Sequence, residues 1–245
     1  MATGESRVRR PADAVFRPVR GGNAFEETVE RILQAVKLGI YAHGERLPAE
    51  RDLSARLGVS RDTLREAVRS LQREGYVESR RGRYGGTFVT YREPQPGVGR
   101  LRRAARDLGA GLEDALVHRM VLETGAAEVA AGRVLDEAGR AHLSGRLADL
   151  EAATPGEYRQ LDSRFHLAVA ELTGSPTLVA GVAEARMRLN DLLNAIPVLD
   201  RNIEHSAAQH RAMAQAILAG DPEGARRATR EHLEATAALL RAFLG

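Results

Sequence analysis

Seven histidines and no cysteine set what metal chemistry this chain of 245 residues could do. Without thiolates, a site must be built from imidazole nitrogen and carboxylate oxygen, and no disulfide framework is open to the fold. Asp162 and His166 lie four residues apart, on one face of one helix. His210 falls in the middle of a helical stretch over 202–219. His232 follows 22 residues later, in the middle of the last helical stretch. If those two helices run antiparallel, both imidazoles converge on the Asp162/His166 face. One carboxylate and three imidazoles make a nitrogen/oxygen site for a divalent cation, with positions left for water or a ligand. Zn²⁺ is the first choice, with Ni²⁺ or Mn²⁺ as alternatives. Each member also has an ordinary reading. A lone helical His is commonly a hydrogen-bonded or surface residue, and an i,i+4 Asp–His pair is often only a helix-stabilising contact. His43, His118, His142 and His205 form no comparable set.

A second set of residues could bind nucleic acid. Residues 47–75 read as two short helices joined by a three-residue turn, Gly58-Val59-Ser60, with Leu53, Leu57, Val59, Leu64, Val68 and Leu71 as apolar anchors. Leu64, Ala67, Val68 and Leu71 fall at i, i+3, i+4, i+7 and make one buried stripe. Arg61 and Arg65 lie one turn apart on the other side, with Arg69 following. A helix that is apolar inside and arginine-lined outside suits the major groove of DNA, although a surface helix with solvated arginines has the same pattern. After Gly75, Tyr76-Val77 and Thr87-Phe88-Val89 predict a β-hairpin wing, with Gly82, Gly85 and Gly86 at the turn. Arg80, Arg81 and Arg83 are expected at its tip, where they suit phosphate or minor-groove contacts.

The elements that position these residues follow from punctuation. Residues 1–24 are polar, basic and unpatterned, and are expected to form a flexible arm. Its Arg7, Arg9 and Arg10 could touch DNA or have no role. Residues 25–42 predict a helix with Val29, Ile32, Leu33 and Val36 inside, and the winged domain runs over 25–91. A linker over 92–100 carries Glu93-Pro94-Gln95-Pro96-Gly97. The remainder, 101–245, is helical throughout. Helices are predicted near 101–108, 112–133, 136–152, 157–173, 176–195, 202–219 and 222–243, with breaks such as Gly174-Ser175-Pro176, Ile196-Pro197 and Gly220-Asp221-Pro222. The fold class is therefore mostly α: an N-terminal winged helix-turn-helix and a C-terminal all-α bundle of six to seven helices, large enough to enclose a cavity.

Charge divides the same way. Residues 1–100 carry 19 Lys+Arg against 13 Asp+Glu, and residues 101–245 carry 17 against 20, so a net +6 half precedes a net −3 half. That polarity fits a DNA-binding domain followed by one that does something else. Only Lys37 among the 36 cationic residues is a lysine, a bias that reflects coding composition. There is no apolar run near the length of a membrane span and no signal-peptide pattern, so a cytoplasmic protein is expected.

Residues 25–90 resemble the winged helix-turn-helix domain of GntR-family bacterial transcription regulators. The resemblance is carried by Leu47-Pro48-Ala49-Glu50-Arg51, Val59-Ser60-Arg61, Leu64-Arg65-Glu66-Ala67, Leu71, Glu74-Gly75 and Gly86-Thr87-Phe88-Val89. It implies DNA contacts from Arg51, Arg61, Thr63, Arg65 and Gly82, to which the turn residue Ser60 and the wing residue Arg81 are added. Ala49 departs from the family's common Ser cap, and the longer wing tip Arg83-Tyr84-Gly85 departs as well. Residues 101–245 resemble the FCD ligand-binding domain that defines the FadR subfamily, through Val117 to Glu123, Leu161 to His166, Thr173 to Pro176, His210-Arg211, Ile217 to Pro222 and Arg230 to Leu233. The resemblance implies a divalent metal on Asp162, His166, His210 and His232, a small organic acid beside it, and pairing of the acid's carboxylate with Arg119. By itself Arg119 would be a solvated arginine bridged to Glu123 at i+4. Asn190, among Leu189, Leu192 and Leu193, lines the pocket or satisfies a neighbouring backbone group.

The function expected is a ligand-responsive repressor. A homodimer, its interface implied by the family alone, would bind an inverted-repeat operator in double-stranded DNA and sense a small carboxylate effector, with no membrane involved. Two other classes are open: a metal-dependent hydrolase carrying a DNA-binding domain, and an architectural DNA-binding protein that responds to no signal.

Overall fold

The computed structural model describes residues 24–93, 111–196 and 200–244, with scattered residues around them. Most of the expected arm at 1–24, most of the 92–100 linker, part of the helix near 101–108 and the break at Pro197 lie outside the described residues. Where the arm is described it is not free: Val15 and Phe16 are buried, and Phe16 stacks on Tyr41 with ring centroids 5.9 Å apart. Residues 102, 103, 105 and 106 are helical, as expected. The chain divides into two compact units that part between Pro94 and Gln95.

The N-terminal unit holds helices α1 (Ala24–Lys37), α2 (Glu50–Leu57) and α3 (Arg61–Arg73), then strands β1 (Val77–Arg80) and β2 (Gly86–Val89). Helix α1 stops at Lys37, short of the expected residue 42. Gly39 takes a left-handed φ of 68°, and the Tyr41 amide turns back to the Ala35 carbonyl, which closes the helix. Gly58 ends α2 in the same way, with φ 67°. Ser60 then starts α3 by accepting the Thr63 amide at 3.0 Å on its Oγ. Leu64, Ala67 and Leu71 are buried, while Val68 is only half-buried at the edge of the expected stripe. The strands pair antiparallel from Val77↔Val89 to Arg80↔Gly86. Residues 44–47 add a second edge to β2, through Gly44 N to Val89 O, Val89 N to Glu45 O and Leu47 N to Thr87 O.

The C-terminal unit contains six helices among its described residues: α4 (Leu112–Ala131), α5 (Glu137–Glu151), α6 (Tyr158–Leu172), α7 (Pro176–Leu193), α8 (Asp200–Ala219) and α9 (Pro222–Leu244). Every residue of α6 from Phe165 to Leu172 is buried, so this is the central helix. Two turns share one chemistry. Gly174 and Gly220 adopt left-handed φ values of 68° and 70°. Ser175 and Asp221 then accept amides of the next helix, and Pro176 and Pro222 open it. The apolar core forms two clusters. One is centred on Leu143, Phe165, Val169, Met213 and Ile217, the other on Leu116, Leu189, Leu192, Ile196 and Leu240. Arg119 and Glu123 on α4, and His232 on α9, fall between them. No helix of the described residues is long and apolar enough to cross a membrane.

Candidate metal centre and nucleic-acid face

Asp162 and His166 stand on consecutive turns of α6, and the α8–α9 turn returns His232 to the level of His210. All four are buried, and one ligand atom from each lies within 4.8 Å of the others. His210 Nε2 is 3.3 Å from His166 Nε2 and 3.2 Å from Asp162 Oδ1. The His210 and His232 rings are 4.4 Å apart, and Phe165 packs edge-on against His166 and His210.

Partners behind the ligands set their chemistry. Glu123 Oε2 lies 2.7 Å from His166 Nδ1, so that nitrogen donates its proton and Nε2 carries the lone pair. His232 Nδ1 donates to Gln209 Oε1 at 3.2 Å, which leaves its Nε2 for the centre. His210 Nδ1 has no hydrogen-bond partner among the described residues, so this ring is held by what its Nε2 faces. Burial, reinforced by the charge of Arg186, pushes the His166 pKa down to about 4. Burial and the neighbouring His210 and His166 also push His232 well below the usual range. Both rings are therefore neutral donors at neutral pH. Burial would raise Asp162, but Arg186 and His210 overcome it and hold the carboxylate well below its usual range.

These donors fit a divalent ion. Ligands about 2.0–2.1 Å from a tetrahedral ion lie about 3.3 Å from one another. His210 Nε2 stands at that spacing from His166 Nε2 and from Asp162 Oδ1, and the remaining pair, His166 Nε2 and Asp162 Oδ1, is wider at 3.8 Å. Lone pairs held that close in a buried site repel unless a proton or a cation lies between them.

Sequence reasoning missed the residues that build the centre's second layer. Arg186 on α7 is 1% exposed. Its Nη2 donates to Asp162 Oδ2 in a short contact, and its Nη1 reaches both oxygens of Glu123 at 3.2 Å. Arg119 bridges to Glu123, Nε to Oε1 at 2.8 Å, but it is buried and not solvated. Burial would raise Glu123; Arg119, His166 and Arg186 together hold it ionised, well below its usual range. Asn190 donates to Ser163 Oγ at 3.2 Å, a side chain and not a backbone group. His142, assigned to no set, meets the buried Glu171 at 2.7 Å on the far part of α6.

In the N-terminal unit, Arg51, Arg61 and Arg65 are exposed on α2 and α3. Arg65 Nε is held by Glu50 at 2.7 Å and Nη1 by Asp62 at 3.3 Å. Ser60 and Thr63 hydroxyls are 2.8 Å apart, so both belong to the α3 cap. A groove of about 390 Å³ runs between α3 and the wing, lined by Arg46, Arg65, Arg69, Arg80 and Thr87 among others. Arg46 was not foreseen. Arg80 is not at the hairpin tip: it is paired in register with Gly86, its guanidinium lies 4.4 Å above the Phe88 ring, and it is bonded to Glu78. Arg81, Gly82 and Arg83 are exposed at the tip, with Gly82 at φ 102°, and Tyr84 is 83% exposed there.

Comparison with known proteins agrees with both halves. The model of bacterial regulatory proteins of the gntR family matches residues 25–89, and the FCD domain model matches residues 114–235. RmpR of Mycobacterium gastri, named as an HTH-type transcriptional regulator, is 35% identical over 89% of this chain and 81% of its own. A protein of Escherichia coli K12 named for regulation of the L-lactate dehydrogenase operon is 32% identical over 85% of this chain and 83% of its own. The E. coli transcriptional repressor NanR is 29% identical over 93% and 88%. The solved structure of E. coli McbR/YncC shares the fold, with a TM-score of 0.50 at 21% identity over 92% of this chain and all of that one. The chain thus belongs to the GntR family of bacterial DNA-binding transcription regulators, and its FCD domain is the kind that defines the FadR subfamily.

Proposed function

We propose that this regulator is a repressor whose winged domains, paired in a homodimer, bind an inverted-repeat operator until a small carboxylic acid enters the metal centre of the helical domain. The reading rests above all on the convergence of Asp162, His166, His210 and His232 in a buried centre with Arg119 beside it. Zn²⁺ suits one carboxylate and three imidazoles; Ni²⁺ and Mn²⁺ are the alternatives. When bound, the ion supplies a Lewis-acid seat for an oxygen of the acid.

Charge explains why the effector is an acid. Asp162 and Glu123 are already matched by Arg186 and Arg119, and the imidazoles of His166 and His232 are neutral. A divalent ion adds two positive charges that no further carboxylate of the centre offsets, so an anion is the complementary ligand. Arg119 would orient its carboxylate, and Asn190 would line the site through Ser163.

On DNA, Arg61 and Arg65 are presented to the major groove and Arg51 stands near it, with Thr63 and the Ser60 cap at the end of α3 that enters. Arg81 and Gly82 carry the wing's contacts. The protein acts in the bacterial cytoplasm, where its operator is. For the acid to release DNA, it must bind the two arrangements of the winged domains with different affinity. A hydrolase is disfavoured because both carboxylates of the centre are tied to arginines and imidazoles, which leaves neither free to take a proton from water.

A thermal-shift panel of small carboxylic acids, on Zn²⁺-loaded and chelator-stripped protein, tests the reading. An acid present at 100 times its Kd should add about 2.7 kcal/mol of stability to the loaded form only. The same acid should weaken binding to an operator selected from random duplexes. Equal shifts with and without metal would sink the metal-held effector.

A further inference from the structure

We infer that Glu123 couples effector to metal: it is a positioning residue through which occupation of Arg119 changes the grip of His166 on the ion. The inference rests on the metal reading above. One carboxylate reaches two of the four ligands. Its Oε2 accepts from His166 Nδ1 at 2.7 Å, and it holds Arg186, whose other nitrogen holds Asp162. The same carboxylate accepts from Arg119 on Oε1, at 2.8 Å. Arg119 and Glu123 both stand on α4, whereas Asp162 and His166 stand on α6.

Glu123 therefore divides its negative charge among three donors. Each donor it loses leaves more charge on the others, because among the described residues the only other buried anion beside it is Asp162, which Arg186 already occupies. An anion that drew Arg119 toward itself would leave Glu123 more basic toward His166. A stronger hydrogen bond at Nδ1 makes the opposite nitrogen of an imidazole a better donor to a metal. Acid and metal then bind with positive cooperativity, and by reciprocity each raises the other's affinity by the same factor. Arg119 in its resting contact on Glu123 therefore holds the metal affinity down.

The test needs only Zn²⁺ as a probe. Full-length protein is stripped, and Zn²⁺ affinity is measured by competition with a chromophoric chelator for wild type, Arg119→Met, Glu123→Gln and the double variant. Glu123→Gln should lose about 10- to 100-fold in affinity. Arg119→Met should gain at least about fivefold in the wild-type background and gain little when position 123 is Gln. Direct repulsion between guanidinium and ion predicts the reverse, an equal or larger gain once Gln leaves Arg119 unpaired, and that result overturns the inference. Should Glu123→Gln fail to fold, Arg119→Met alone suffices. The His166 Nδ1 proton must move downfield in the proton spectrum, and an unmoved resonance overturns the coupling. Wild type that binds no Zn²⁺ at all overturns the metal reading itself.

Discussion

Arg186 donates to Asp162 across the α6–α7 packing, a buried cation on a buried carboxylate proposed to hold the metal, with each carried by a different helix. The contact aims one carboxylate oxygen back toward Arg186 and leaves Oδ1 facing His210 and His166. Replacing Arg186 with Met would keep the volume and leave Asp162 and part of Glu123 without a counter-charge. Breaking a buried pair in this way costs about 3–5 kcal/mol. Urea denaturation of metal-stripped protein should show that loss. Bound Zn²⁺ should restore part of it, because the ion supplies the missing positive charge beside Asp162. A metal-free variant as stable as wild type would mean that the pair contributes nothing net.

The contrast between Asp162 and Arg186 shows what was legible in the chain. Asp162 and His166 share a helix, so their spacing alone puts them on one face. His210 and His232 could be added because Gly220-Asp221-Pro222 is an unambiguous turn between two long helices. Arg186 acts only through the packing of α7 on α6 and α4, which no local pattern encodes. A weaker signal was still present. Val179, Val182, Ala183, Arg186, Leu189, Asn190 and Leu193 form one buried face of α7, and a full charge on such a face needs a partner. Asn190 was read from that face, but Arg186, one turn earlier, was not. Likewise the wing was legible from its glycines, but the place of Arg80 depends on strand register. Two residues nearer the tip it would be free, whereas opposite Gly86 it is turned onto Phe88.

Acidification should destabilise the metal-free protein in a defined window. His166 titrates near 4 in the folded protein and near its ordinary 6.5 when unfolded, and His232 is lowered in the same direction. Above about pH 6.5 both states are neutral at these rings and the contribution to stability is full. As pH falls from there toward 4, the unfolded chain takes up protons that the folded protein refuses, and stability drops. Asp162 and Glu123 add their losses from the ordinary carboxylate range downward, where the unfolded chain takes up protons first, since both are lowered in the fold. Melting of stripped protein from pH 8 to pH 4.5 should therefore fall chiefly below 6.5. A flat profile across that interval would show that the rings are hydrated and not buried.

The arginines of the DNA-binding unit should separate by where they stand as well as by what holds them: Arg65, though paired with Glu50 and Asp62, is exposed on α3, whereas Arg80 is turned onto Phe88. Arg65→Ala should remove discrimination worth about 1–3 kcal/mol at one base pair while leaving the fold intact. Arg81→Ala, at the exposed tip, should reduce the salt dependence of binding by about one ion and weaken all sequences alike. Arg80→Ala should leave that slope nearly unchanged, since its charge is spent on Glu78 and Phe88. Titrations on a selected operator and on random duplex, at several salt concentrations, read all three. Identical slopes for the Arg80 and Arg81 variants would refute the division.

Helix α2, which carries Arg51, and helix α3, which carries Arg61 and Arg65, start differently, and the difference predicts opposite effects of two small substitutions. Ala49 sits at the N-cap of α2 with φ −55° and ψ 144°, an extended geometry that a Ser would share, but its side chain caps nothing. The Asp52 and Leu53 amides both turn to the Ala49 carbonyl instead. Ser60 in the same position on α3 satisfies the Thr63 amide and bonds its hydroxyl. Ser60→Ala should cost about 0.5–2 kcal/mol, and Ala49→Ser should stabilise by about 1 kcal/mol. Hydrogen exchange of the α2 and α3 amides localises each effect to its own helix, which melting of a two-unit chain would not. The Ser60 change should also weaken operator binding, because the cap fixes Thr63 at the end of α3 that would enter the groove; the Ala49 change should not. If slower exchange in α2 also alters affinity, the uncapped start of that helix is part of how the domain adapts to DNA, and Ala49 is there for function.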